Sequence, residues 1–300
     1  MHIKELLKNP YKIFNFLAAK GLFNWLPDKP YLKLRFRASM GKKLNLKNPQ
    51  TFNEKLQWLK LNDRKPEYTM MVDKYESKKY VANIIGEEYI IPTLGVWDKF
   101  DDIDFDKLPD KFVLKCTHDS GGLVICKDKS NFDKRAAKLK IEKSLKHDYF
   151  KWGREWPYKN VKPRIIAEQY MEDSALHELR DYKFFCFNGV ADCVMVCVGR
   201  STGNTKFYFY NKEWKLCRYN VLGKSIIGNG DVKRPNNISD MFAIVEQLSQ
   251  KIPFSRIDLY NVNQKIYFGE ITFFPDSGFD PNLMLEADFY FGSKLNLKEV

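Results

Sequence analysis

Two stretches near the end of the chain bring together side chains suited to a charged centre. Ser255-Arg256-Ile257-Asp258-Leu259-Tyr260 is followed by a polar turn and then by residues 265–275, which include Gly269-Glu270-Ile271-Thr272-Phe273. Side chains of an extended chain alternate between faces, so Arg256 and Asp258 share one face while Ile257 and Leu259 take the other. Glu270 and Thr272 are set against Ile271 and Phe273 in the same way. With both apolar faces on one core, and an odd number of residues in the loop, Asp258 and Glu270 converge beside Arg256. Two carboxylates held together favour a hard cation such as Mg²⁺ carrying phosphate oxygens. The plainer alternative is a solvated hairpin face with a surface ion pair.

Residues 112–127 read as a strand containing Lys115, a small polar loop with Ser120-Gly121-Gly122, and a second strand. Glycine lets backbone N–H groups approach phosphate oxygens with no Cβ in the way. This is not a P-loop, because no Gly-Lys-Ser/Thr leads into a helix. An ordinary hairpin turn with a snorkelling lysine is the competing reading. Residues 164–171 form an apolar strand ending in Glu168-Gln169-Tyr170-Met171, either an edge whose backbone reads a base or a core strand reaching the surface at Glu168. Arg180-Asp181-Tyr182-Lys183 puts acid and base on one strand face, and Arg200 ends the return strand.

These residues need elements to hold them. Thr51 with Glu54 is a capping box opening a helix through Trp58 and Leu59. Further helices are expected over residues 67–85, stopped by Gly86; over 131–147, behind Ser130 and Asn131; and over 239–251, capped by Ser239. From residue 90 onward short strands alternate with polar turns, an α+β pattern. Asn188-Gly189 is the strongest hairpin signal, a second hairpin is expected over 207–216, and a last one over 255–274. The first 50 residues are basic and aromatic, with Phe14, Phe16, Phe23 and Trp25 among lysines. They predict an amphipathic helix packed on the body, with contact to a membrane or a lipid-linked partner as the alternative.

The 300 residues are 44% apolar, enough for a core, and no apolar run is long enough to span a bilayer. The start, Met1-His2-Ile3-Lys4-Glu5, lacks the pattern of a secretory signal, so a cytoplasmic protein is expected. Fifty Lys and Arg against 38 Asp and Glu give +12, an affinity for something anionic. Six cysteines without a Cys-x-x-Cys pair, and four histidines, point to reduced core cysteines instead of a zinc site.

In this order the segments resemble the ATP-grasp superfamily, and within it the TupA-like branch of teichuronopeptide and capsular polysaccharide biosynthesis. The resemblance is carried by Phe52-Asn53-Glu54-Lys55-Leu56-Gln57, Asp73-Lys74-Tyr75, the Lys115 strand with its Ser-Gly-Gly loop, Arg154-Glu155-Trp156-Pro157-Tyr158, Glu168-Gln169-Tyr170, Asp181-Tyr182-Lys183, Arg256-Ile257-Asp258 and residues 268–273. It implies two α+β subdomains clamping ATP. Residues 1–50 would be a helical extension, 51–110 a pre-grasp region, and 111–300 the ATP-grasp domain, with a flap subdomain over 111–170 and a C-terminal subdomain over 171–300.

By the same likeness Lys74 and Lys115 would contact the ATP phosphates, and Ser120, Gly121 and Gly122 would form the flap. Glu168, Gln169, Tyr170 and Met171 would line the adenine pocket, with Asp181 nearby. Asp258, Glu270 and Thr272 would hold Mg²⁺. Many members of the superfamily carry Asn where this chain has Thr272, whose hydroxyl can still ligate. Arg256, Lys183 and Arg200 would face the transferring phosphate or the acyl phosphate. The implied reaction joins a carboxylate, such as that of a hexuronic acid, to an amino acid or small amine.

Other classes fit less well. A glycosyltransferase would use an Asp-x-Asp metal motif, and Asp102-Ile103-Asp104 and Asp104-Phe105-Asp106 match that spelling without a preceding buried strand. A nucleic-acid binder would need a basic stripe, yet the basic residues spread over the whole chain. A polysaccharide-binding protein would use exposed aromatics and have no need of Lys115, Asp258 and Glu270 together.

Overall fold

The computed structural model describes residues 10–299 apart from 175, 177, 201, 227 and 231; the opening residues 1–5, read above for a signal, lie outside the described residues. Helices α1 (Pro10–Ala19), α2 (Asp28–Met40) and α3 (Phe52–Asn62) come first. Thr51 and Glu54 form the expected capping box, each side chain bonding the other's backbone N–H.

The single helix expected over 67–85 is two, α4 (Glu67–Val72) and α5 (Glu76–Ile85). Asp73 Oδ1 accepts from the N–H groups of Tyr75 (2.8 Å) and Glu76 (3.2 Å). A short side chain that bonds nearby backbone competes with the helix, and here it wins for three residues. The break turns Lys74 out of helical register, where its N–H donates to the Thr117 carbonyl across the fold at 3.0 Å.

A four-stranded antiparallel sheet follows, built from β1 (Thr93–Trp97), β2 (Phe112–Cys116), β3 (Leu123–Cys126) and β4 (Ile165–Gln169) in the order β1-β4-β2-β3. Phe112, Leu114, Cys116, Ile165 and Ala167 face a core shared with α6 (Lys134–Leu145). That helix starts later than expected. Asp133 accepts from the Ala136 N–H at 2.9 Å and caps it, while Ser130 and Asn131 are held in a tight turn by Asp128. Helix α7 (Tyr149–Gly153) then leads back to β4.

The second sheet has six antiparallel strands in the order β10-β9-β5-β6-β7-β8. They are β5 (Asp181–Phe187), β6 (Val190–Val198), β7 (Lys206–Asn211), β8 (Leu216–Cys217), β9 (Phe254–Val262) and β10 (Lys265–Thr272). Asn188 and Gly189, both at positive φ (51° and 81°), close the first hairpin as predicted. A short helix, α8 (Val221–Ser225), follows β8; α9 (Ile238–Leu248) covers one face of the sheet, and α10 (Leu285–Lys294) lies against α3 on the other. Asn237 holds the N-cap position of α9, so Ser239 is inside the helix and not its cap.

Strand β5 is buried on both faces, and its parity explains the site. Tyr182, Phe184 and Cys186 face one way, with the Phe184 ring 5.0 Å from Phe242 of α9. On the other face Phe185 and Phe187 pack on Phe52 and Phe291, while Asp181 and Lys183 occupy the uncovered half.

The last hairpin satisfies the parity condition by a route other than an odd loop. Its turn has two residues, Asn263 and Gln264, both at positive φ, and Lys265 pairs with Val262. A bulge at Gly269 then shifts the register by one, setting Glu270 opposite Asp258 and Thr272 opposite Arg256. The bulge keeps Phe268 and Ile271 both in the core while turning Glu270 and Thr272 out of it.

The N-terminal helices are docked on the body. Tyr31 Oη donates to the Trp152 carbonyl (3.0 Å), Arg154 bonds the carbonyls of Phe23, Asn24 and Leu26, and Phe36 meets Phe279 edge-on. No described helix is long and apolar enough to cross a membrane. All six cysteines are free, five of them buried.

A Cβ on Gly269 would stand 2.9 Å from the Asp258 carbonyl oxygen. Gly269→Ala is therefore expected to destabilise the fold by about 1–3 kcal/mol, read by urea unfolding. An unchanged midpoint would show that the bulge is not tightly packed.

Candidate active site

A cleft of about 460 Å³ receives Lys74, Asp119 and Ser120 from the α4–α5 break and the β2–β3 loop. Arg256, Glu270 and Thr272 enter it from β9 and β10, and Trp152, Glu155 and Tyr158 from the segment around α7. Segments far apart in sequence thus converge on one space.

Its floor is a charged knot. Arg256 forks onto Asp258, with Nε to Oδ1 at 2.7 Å and Nη2 to Oδ2 at 2.9 Å, and Nη2 also reaches Glu270 Oε1 (3.1 Å) and Thr272 Oγ1 (3.2 Å). Lys183, directly across the ladder from Asp258, donates to its Oδ2. Asp258 is 2% exposed; burial pushes its carboxyl above the ordinary value, and Arg256 and Lys183 work against that push. Burial alone would raise the Glu270 carboxyl, but Lys74, Arg256 and Lys183 override it and hold it at about 2. Glu270 therefore faces the cleft ionised. Burial works against the Arg256 charge, and Asp258 and Glu270 outweigh it, so its pKa stands above the usual arginine value.

Among the described residues no group of three or more His, Cys, Asp or Glu side chains could hold a metal ion. The donors that are present are hard ones: Glu270 and Thr272 on the cleft surface, their oxygens 3.5 Å apart, with Asp258 just beneath. They fit a Mg²⁺ ion that takes further oxygens from phosphate. Asp258 would ligate only by yielding a contact with Arg256 or Lys183.

Lys74 reaches the β2–β3 loop, where its Nζ donates to the Asp119 carbonyl. Asp119 also holds the loop from inside, accepting from Ser144 Oγ and, at 3.1 Å, from the Gly122 N–H. That N–H is thus engaged within the loop, and a Cβ on Gly122 would collide with Cys116 and Ser144. Gly122 supplies room for close packing. A Cβ on Gly121 would make only an ordinary contact with Asp119 Oδ2, at 3.6 Å, and Ser120 is exposed at the loop tip.

Lys115 and Glu168 do not line this cleft; they lie on the faces of β2 and β4 opposite the core shared with α6. Glu168 binds Lys115 at 2.5 Å and Lys78 at 2.6 Å. Burial would raise this carboxyl, yet the two lysines hold it at about 2. Gln169, Tyr170 and Met171 line a second cleft, of about 380 Å³, against Val262, Asn263, Lys265 and Tyr267. Asp181 pairs with Arg200 at 2.8 Å and lies 4.0 Å from Lys183.

Several site residues escaped the sequence reading. Lys78, four residues after Lys74, looks like an ordinary helix lysine until Glu168 meets it. Lys60 and Glu155 are fully buried beside the cleft. Lys60 donates to Gln57 Oε1 (3.0 Å) and to the carbonyls of Gly153 and Ser277 (2.7 Å each), and Glu155 accepts from Ser277 Oγ. Burial pulls the Lys60 ammonium down and pushes the Glu155 carboxyl up. Successive positive φ at Asp276, Ser277 and Gly278 aim the Ser277 carbonyl at Lys60, an arrangement no periodicity signals.

Two antiparallel sheets, with a charged cleft lined by Lys74, Arg256 and Glu270, make up an α+β fold of the ATP-grasp type. Residues 54–296 match the model of the TupA-like ATPgrasp family, and the chain belongs to that family. No curated protein matches it. Among solved structures it is similar to the D-alanine–D-alanine ligase of Bacillus anthracis complexed with ATP, at 16% identity and a TM-score of 0.43 over 77% of this chain and 63% of that one. The D-alanine–D-alanine ligase of Helicobacter pylori is similar at 13% identity and a TM-score of 0.42, over 82% and 69%. PsnB, an ATP-grasp ligase complexed with Mg and ADP, is similar at 8% identity and a TM-score of 0.46, over 94% and 74%. The chain spans less than two thirds of the length of the Bacillus anthracis ligase.

Replacing Glu168 leaves two buried ammonium groups without a counter-charge, so Glu168→Gln should cost about 3–5 kcal/mol at neutral pH. In the wild type, a carboxyl held at about 2 against an ordinary 4.5 lends stability that is complete above pH 4.5 and lost as pH falls to about 2. Urea unfolding across that window should show a steeper acid loss for wild type than for Glu168→Gln. Parallel curves would remove the pair from the stability account.

Proposed function

We propose that the protein is an ATP- and Mg-dependent ligase that activates a carboxylate as an acyl phosphate and joins it to an amine. The observation that carries this reading is that Lys74, Arg256, Glu270 and Thr272, from separate parts of the chain, line one cleft with Glu270 ionised. A carboxylate oxygen attacks the γ-phosphorus, ADP departs, and the amine nitrogen then attacks the acyl carbon to release phosphate and a proton. Bound Mg²⁺ would neutralise phosphate oxygens and polarise the transferring group. Glu270 and Thr272, with Asp258 behind them, would hold it.

The protein's share is positioning and charge. Lys74 and Lys115 would reach the ATP phosphates, under a flap of Ser120, Gly121 and Gly122. Gln169, Tyr170 and Met171 would flank the adenine, and Glu168 would hold Lys115 and Lys78 in place. Arg256 would fork onto the carboxylate or acyl phosphate. Lys183 and Arg200 would steady the charges of Asp258 and Asp181. The cell-surface setting of the family favours a hexuronic acid as the carboxylate, an amino acid or small amine as its partner, and a cytoplasmic location. The glycosyltransferase reading is weaker: Asp102 and Asp104 lie in tight turns, and Asp104 is tied to the Asp106 N–H and to Lys107.

ADP release from ATP and Mg²⁺, with uronic acids and their nucleotide derivatives crossed with amines, tests the proposal. Turnover that needs both an acid and an amine, and that falls about a hundredfold or more in Glu270→Ala, is the expected outcome. Absence of ATP binding in calorimetry would overturn it.

A further inference from the structure

We propose that Arg35 binds a carboxylate on the amine substrate, so that the helix preceding the family-matched region completes the active site and selects an amino acid as acceptor. This rests on the ligase reading and narrows it. Arg35 belongs to α2, outside residues 54–296, yet it lines the same cleft as Arg256, Glu270 and Thr272. It is 4% exposed. Its guanidinium lies over the Trp152 ring at 3.9 Å, and Nη1 donates to Asn15 Oδ1 at 2.5 Å. Its Nε is buried with no hydrogen-bond partner.

The contrast with the neighbouring cations is what makes this a site. Arg256 has carboxylate partners in Asp258 and Glu270, Lys60 donates to three oxygens, and Lys74 donates to the Asp119 carbonyl. Arg35 has a neutral amide and two rings, Trp152 and Phe279, and no ion pair with a described carboxylate. A buried guanidinium without a counter-ion is costly, and an orphaned donor beside a cleft adds to that cost unless a ligand supplies the anion. The planar fork matches a carboxylate, and a ring stack holds it in one orientation.

The bound carboxylate is not the one to be activated. That group must sit with Arg256, Glu270 and Thr272, where the phosphate chemistry is placed, whereas Arg35 is fixed to Trp152 and Phe279. Asp280, the residue after Phe279, also lines the cleft and can face the substrate's ammonium. An α-amino acid carries both charges, one for each residue.

Calorimetry tests this with the twenty amino acids, and with the decarboxylated amine of each that binds, titrated into the full chain saturated with Mg-ADP. At least one amino acid should bind, and its amine should bind roughly tenfold to a hundredfold more weakly, the worth of one charge-assisted contact. Arg35→Gln, neutral and without the guanidinium fork, should erase that gap while ATP affinity stays near wild type. Arg35→Lys, which keeps the charge without the fork, should restore part of it. Equal binding of acid and amine by the wild type, a gap that survives in Arg35→Gln, or no amino acid bound at all would each overturn the proposal. If the wild type fails to bind ATP, the ligase reading itself falls, and this proposal with it.

Discussion

The charge of Asp258 in the middle of a buried sheet is the constraint on which the rest of the site depends. A carboxylate that is 2% exposed persists in ionised form only if cations reach it, and Arg256 and Lys183 do so from its own strand and the adjacent one. Those contacts require β5, β9 and β10 in one register, and the Gly269 bulge sets that register for the last pair. The same bulge turns Glu270 and Thr272 to the cleft, where Arg256 donates to both. The apolar side of the same strands packs on α9, so packing and charge placement follow from a single alternation.

A second buried charge group does similar work in the smaller sheet. Glu168 holds Lys115 and Lys78 side by side, which two ammonium groups would not tolerate without it. Lys74 stands apart from them because Asp73 interrupts the helix, and it reaches the β2–β3 loop. Three lysines within five helical-looking residues and one strand are thereby sent to two different places. The β2–β3 loop is held through Asp119, which ties Ser144, Gly122 and Lys74 to one residue.

The N-terminal helices contribute to the cleft as well as to the core. Arg154 and Tyr31 tie them to α7, and Phe36 and Arg35 meet Phe279 at the end of the positive-φ loop. The cleft wall is therefore assembled from both ends of the chain. Strain in residues 276–278 is offset by Lys60, Gln57 and Glu155, which take up the polar atoms of Ser277.

Much was legible in the sequence because it depends on neighbours in the chain. The capping box at Thr51, the Asn188-Gly189 hairpin, the α+β alternation and the shared faces of Arg256 with Asp258, and of Glu270 with Thr272, all follow from spacing of a few residues. The ordered series of short motifs was enough to place the chain in its family. What the sequence could not supply was anything decided by a partner far along the chain. The bulge at Gly269, the break at Asp73, the pairing of Lys78 with Glu168 and the presence of Arg35 in the cleft each arise from contacts between distant segments. A lysine or arginine reads the same in a string whether it ends in water or against a buried carboxylate. Only the tertiary structure decides which, because the cost of burying a charge is settled by what surrounds it.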